Sequence, residues 1–84
     1  MDYYGERPNY RLKALIIEVV ENQMEEDNPP ITNITYKRLT DGGYSEQEAK
    51  EKIGAVVAEH IYDIMAGGSK FDLKKYTRDL KNLK

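Results

Sequence analysis

A chain of 84 residues, with 33% charged residues, 39% hydrophobic residues and a net charge of −2, has room for one domain. It contains no cysteine, which excludes disulfides, thiolate metal sites and cysteine nucleophiles. No apolar run approaches the roughly 20 residues of a membrane helix, and residues 1–8 lack the apolar core of a signal peptide, so we expect a cytoplasmic protein that binds no membrane.

Residues 1–8 are predicted to form a flexible N-terminal tail, and residues 9–84 a single helical domain. The first helix is predicted from Asn9 to Glu26, because apolar residues recur there every three or four positions, as on the buried face of a helix. These candidate core residues are Leu12, Leu15, Ile16, Val19 and Val20.

The second helix is predicted from Pro30 to Thr40, because Asn28-Pro29 breaks the chain and a proline suits the first position of a new helix. Residues 31–36 leave a second interpretation open, since several of them favour an extended strand: Thr32, Thr35 and Tyr36. We prefer the helix because the sequence offers no other strand with which this segment could pair.

The third helix is predicted between Ser45 and Gly68. Ser45 and Glu48 form the pattern of a capping box, and Gly67-Gly68 supplies a residue that can end a helix with a positive φ angle. One apolar stripe runs between these ends: Ala49, Ile53, Val56, Val57, Ile61 and Ile64. A group of small residues on the same helix would permit the close approach of another helix: Gly54, Ala55 and Ala58.

The fourth helix is predicted from an N-cap at Asp72 to Leu83, with Phe71 packed against its first turns as a hydrophobic staple. Its apolar residues follow each other at three, four and three positions, the spacing of a coiled-coil seam: Leu73, Tyr76, Leu80 and Leu83. Together the four segments predict an all-α fold, a compact bundle of four helices in which the first and third form the core.

His60 is the only histidine, and two interpretations of it stay open. An imidazole can act as a general base, here with Glu18 or Glu21 as its carboxylate partner. The alternative, which we favour, is an imidazole at the edge of the core that bonds to a carboxylate or a carbonyl. Because the chain also lacks a glycine-rich phosphate loop, we expect no cofactor and no enzymatic activity.

Five short segments carry a resemblance that covers about residues 10–83: Val19-Val20-Glu21-Asn22-Gln23, Asn28-Pro29-Pro30, Gly43-Tyr44-Ser45, Glu48-Ala49 and Ile53-Gly54-Ala55-Val56. In combination they resemble a family of small bacterial helical domains of unknown function. Many members of that family carry two His-x-x-x-His pairs, one on the first helix and one on the third, which implies a four-histidine metal site.

At the matching positions this chain has Lys13 and Ile17 on the first helix, then Gln47 and Glu51 on the third. None of the four is histidine, so the metal site that the resemblance implies does not carry over. The resemblance still implies that the first and third helices are neighbours, and it predicts a salt bridge between Lys13 and Glu51.

The function predicted from these patterns is that of a non-enzymatic helical protein–protein interaction module. A homodimer could form through the fourth helix or through the small residues of the third. The alternative is nucleic-acid binding by the basic fourth helix, through Lys74, Lys75, Arg78 and Lys81, since six basic and only two acidic residues follow Gly67. The candidate binding residues are Lys13, Ile17, Glu21, Gln47, Glu51 and His60.

Overall fold

Four α-helices and no strand make up residues 8–68 and 70–84, the part of the chain that the computed structural model describes. The helices are α1 (Pro8–Glu26), α2 (Pro30–Asp41), α3 (Glu46–Gly67) and α4 (Leu73–Lys81). The predicted all-α bundle is therefore confirmed. The predicted tail lies outside the described residues, except that Pro8 already belongs to α1. Within the described ranges, no helix combines the length and the apolar character that crossing a bilayer requires.

The helix ends follow the local signals of the sequence. The amide of Glu48 donates to Oγ of Ser45 at 3.0 Å, and the amide of Ser45 donates to Oε1 of Glu48 at 2.9 Å, so the capping box is complete. Gly68 ends α3 with φ at 67°, a conformation that glycine adopts without strain. Asp72 caps α4 by accepting from the amide of Lys75.

Residues 31–36 are helical, so the extended alternative for this segment is wrong. The two threonines that favoured a strand, Thr32 and Thr35, lie three positions apart and are both buried on the inner face of α2. On a helix this spacing places both side chains on one side, so tertiary burial overrides their strand propensity.

Helices α1 and α3 approach each other closely at Gly54. A β-carbon at Gly54 would stand only 3.1 Å from Cγ2 of Ile16, which is tighter than ordinary van der Waals contact. The small residue predicted to admit another helix therefore admits one from the same chain. The core beside this crossing is made of buried side chains from all four helices: Val20, Ile31, Leu39, Ala49, Ile53, Val56, Val57, Tyr76 and Leu80.

On α1 and α4, the apolar residues are not buried in the way that the sequence predicts. Leu12 and Leu15, predicted as core, are 60% and 52% exposed, because residues 11–15 of α1 lie outside the core and contact with it begins at Ile16. On α4, the residues with coiled-coil spacing divide between the core and the surface. Tyr76 and Leu80 are fully buried against the chain itself, Leu73 is exposed, and the helix ends at Lys81 rather than Leu83.

Candidate protein-interaction site

The four positions singled out by the family resemblance come together where α1 crosses α3. Nζ of Lys13 lies 2.9 Å from Oε2 of Glu51, so the predicted salt bridge is confirmed. The side-chain amide of Gln47 donates to the same carboxylate oxygen at 3.1 Å. Bonding to Lys13, and secondarily to Gln47, lowers the pKa of Glu51 below its ordinary value. Ile17 lines the groove beside this pair.

These residues do not fit the metal site that the resemblance implies. The only carboxylate among them, Glu51, already bonds to the ammonium group of Lys13, and Ile17 offers no ligand atom at all. Among residues 8–68 and 70–84, no three His, Cys, Asp or Glu side chains lie close enough to hold a metal ion.

The same crossing forms an apolar depression of about 340 Å³, which we call the α1–α3 groove. It is lined by Leu12, Lys13, Ile16, Ile17, Glu51, Gly54, Ala55 and Ala58. The floor consists of small residues of α3, and one wall consists of aliphatic side chains of α1. Because the only charged residues in the lining pair with each other, the groove is an apolar surface with a neutral polar end.

Apolar residues follow the groove along the outer face of α3. Two of them line a separate depression together with charged neighbours: Ala58, Tyr62, Glu59, Asp63 and Lys75. Ala55, Ala58, Tyr62 and Met65 follow each other at three, four and three positions, and we call these residues the α3 stripe. Tyr62 is 73% exposed and Met65 is 80% exposed. This is the same three-four-three spacing that predicted a coiled-coil seam on α4. On α3 it occurs on the exposed side of the helix.

His60 is a second candidate whose environment the structure defines. Its imidazole is 6% exposed, and Nε2 lies 2.9 Å from Oδ2 of Asp79 on α4. The rings of Phe71 and Tyr76 pack against it, with centroids 6.0 Å and 5.3 Å away. The interpretation of His60 as a hydrogen-bonded imidazole at the core edge is confirmed. Phe71 also contacts Tyr76, as a staple requires.

The carboxylates that the enzyme hypothesis assigned to His60 have other surroundings. Glu21 pairs with Lys50 at 3.0 Å, and this bond raises the pKa of Lys50. Glu18 is exposed on α1. Sequence reasoning missed Asp79 because it lies 19 residues beyond His60 on a different helix, and no local spacing links the two.

A polar cluster joins three helices inside the fold, and we call it the Tyr76 cluster. The hydroxyls of Thr32 on α2 and Tyr76 on α4 both donate to Oε1 of Gln23 on α1, at 2.8 Å and 2.9 Å. Burial raises the pKa of the Tyr76 hydroxyl. The side chain of Gln23 therefore points inward, and its oxygen links the two hydroxyls.

The basic residues of α4 are partly engaged within the chain. Nζ of Lys75 lies 3.7 Å from a carboxylate oxygen of Asp63 and 4.0 Å from one of Asp79. Lys74, Arg78 and Lys81 are exposed. Nucleic-acid binding by this helix stays a prediction, since one of its four cations is already close to two anions.

Comparisons with known protein families, with curated proteins and with solved structures found no match to this chain. Membership of the family suggested by the sequence therefore stays a prediction.

Proposed function

We propose that the protein is a non-enzymatic interaction module that binds another polypeptide through the α1–α3 groove. The observation that supports this most is the succession of apolar residues along α3, from the groove lining to the exposed side chains of Tyr62 and Met65. Exposed apolar surface of this kind is costly in water, and contiguous patches of it mark interaction sites.

The composition of the surface also favours a protein partner. Tyrosine and methionine are enriched at the centres of protein interfaces, whereas lysine, glutamate and alanine are depleted there. The α3 stripe contains one tyrosine, one methionine and two alanines, and no charge. It is therefore the two large side chains and the absence of charge that favour a protein partner. An apolar helix from a partner would lie along the stripe and place side chains in the groove.

The polar groups that an enzyme would need are used differently. The imidazole of His60 bonds to Asp79, and Tyr76 bonds to Gln23, so both link α4 to the rest of the bundle. His60 also lines a depression of about 550 Å³ beside Phe71, but its side chain is only 6% exposed and its Nε2 is bonded to Asp79. This engagement supports an interaction role over a catalytic one.

In-cell photocrosslinking tests the proposal. Replacing Tyr62 by p-benzoylphenylalanine keeps an aromatic ring at the centre of the α3 stripe. After illumination of cells that produce the chain naturally, we expect one or a few defined polypeptide adducts. The matched control is the same replacement at Ile34, which is 61% exposed on α2, away from the groove. Equal adducts at both positions, or none at position 62, would contradict the proposal.

A further inference from the structure

We infer that the partner that fits the α1–α3 groove is a second copy of this chain, bound so that the two α3 helices run antiparallel. This inference rests on the proposed function and adds to it the identity of the occupant. It is carried by the order of small and large residues in the α3 stripe.

The α3 stripe has small side chains at one end and large side chains at the other. Ala55 and Ala58 come first and form part of the groove floor, and the exposed Tyr62 and Met65 follow. The two halves lie about 10 Å apart along the helix axis. Each copy therefore carries a depression and, farther along the same helix, the side chains that could fill it.

A two-fold axis at the level of His60 brings these halves together. In the antiparallel pair, Ala58 of one copy faces Tyr62 of the other, and Ala55 faces Met65. The same contacts repeat on the other side of the axis, as a symmetric dimer requires. In a parallel pair Tyr62 would meet Tyr62 and Ala55 would meet Ala55, which leaves a collision at one end and a void at the other.

Charge and area are compatible with this arrangement. Lys13 and Glu51 neutralise each other in the groove lining. Among the charged residues that border Tyr62, Asp63 pairs with Lys75 at 3.7 Å and Glu59 is exposed to solvent. Covering the exposed parts of Leu12, Tyr62 and Met65 on both copies, with their neighbours, buries on the order of 1,000 Å², the lower limit for a specific interface. Interfaces near this limit are typical of weak, reversible association, so we look for the dimer at about micromolar concentrations and above.

Sedimentation equilibrium of the purified full chain tests the association. The wild-type protein is expected to pass from monomer to dimer as its concentration rises through the micromolar range. Tyr62→Lys and Met65→Lys should each weaken the dimer about tenfold or more, because each buries a charge against an apolar groove. Ile34→Lys, at a similarly exposed apolar position on α2, should leave the dimer unchanged. All three sites are exposed enough for the fold to persist, which circular dichroism checks.

Disulfide crosslinking tests the orientation, and the absence of native cysteine makes it clean. A mixture of Ala55→Cys and Met65→Cys proteins should form the mixed crosslinked dimer far faster than either variant crosslinks to itself. Fast self-crosslinking of each variant would overturn the antiparallel arrangement.

A wild-type chain that stays monomeric at every concentration would overturn the second-copy inference as a whole. The proposed function would then be judged by the in-cell adducts alone, since a different polypeptide crosslinked at position 62 would still support it. The two failures are therefore distinguishable.

Discussion

The Tyr76 cluster and the α3 stripe each contain a tyrosine, one buried and the other exposed. Tyr76 is fully buried, and its hydroxyl bonds to Gln23. Tyr62 is 73% exposed and belongs to an apolar stripe that the described part of the chain does not cover. The polar groups that suggest chemistry thus link the helices, whereas the surface proposed to bind a partner is apolar.

Replacing each tyrosine by alanine is the test of this difference with the largest expected effect. Tyr76→Ala removes a buried ring and should lower the free energy of unfolding by about 3–5 kcal/mol. Tyr62→Ala should change it by less than about 0.5 kcal/mol, as expected for an exposed site. Urea unfolding at a concentration that keeps the chain monomeric measures both. Equal losses would show that the stripe is part of the monomer's core.

The helix boundaries and caps could be predicted from sequence because they depend on neighbouring residues. Ser45 and Glu48, for example, satisfy each other's backbone amides within one turn. The outward placement of Leu12 could not be predicted in this way. Periodicity identifies an apolar face, but which face meets the chain's own core depends on how long helices cross.

The candidate site was only partly predictable for the same reason. The salt bridge between Lys13 and Glu51 came from a resemblance that placed α1 beside α3, and no local pattern contains it. The pairing of His60 with Asp79 has no sequence signal, since it depends on α4 folding back against α3. The small residues of α3 did suggest a close helix contact, and Gly54 provides it within the chain.

The two buried threonines of α2 test how much a hydrogen bond in the interior contributes to stability. Thr32 donates to Gln23, so Thr32→Val should cost about 1 kcal/mol of unfolding free energy. The hydroxyl of Thr35 is buried and has no hydrogen-bond partner among the described residues. Thr35→Val keeps the shape and removes an unsatisfied group, so it should stabilise the fold by about 1 kcal/mol. Thermal and urea unfolding check both signs, and a loss in Thr35→Val would indicate an unrecognised bond.

The stability of the fold at alkaline pH tests whether the hydroxyl of Tyr76 is buried. Burial raises the pKa of Tyr76 above its ordinary value of 10.0, so the fold favours the neutral form. That contribution is complete below pH 10 and is lost as the pH rises through the folded-state pKa. Tyr76→Phe should cost about 1 kcal/mol at neutral pH, and this difference should shrink or reverse above about pH 10. If the difference in unfolding free energy between wild type and Tyr76→Phe does not change with pH, the Tyr76 hydroxyl is exposed to water.

Acidic pH tests the polar end of the groove, where we expect the smallest effect. The bond to Lys13 lowers the pKa of Glu51 below 4.5, so its contribution is present above that pH and is lost as the pH falls through the folded-state pKa. Glu51→Gln should therefore be slightly less stable than wild type at neutral pH and equal to it in strong acid. Repeating the substitution in a Lys13→Gln background removes the partner and should abolish most of the difference.

The central claim is that the α1–α3 groove and the α3 stripe form the binding surface of this protein. Isotope-edited NOE spectroscopy on a mixture of labelled and unlabelled copies tests it directly at concentrations where dimer forms. We predict contacts between copies that join the ring of Tyr62 to the methyl group of Ala58. Contacts between copies confined to α4 or to Ile34 would contradict the claim.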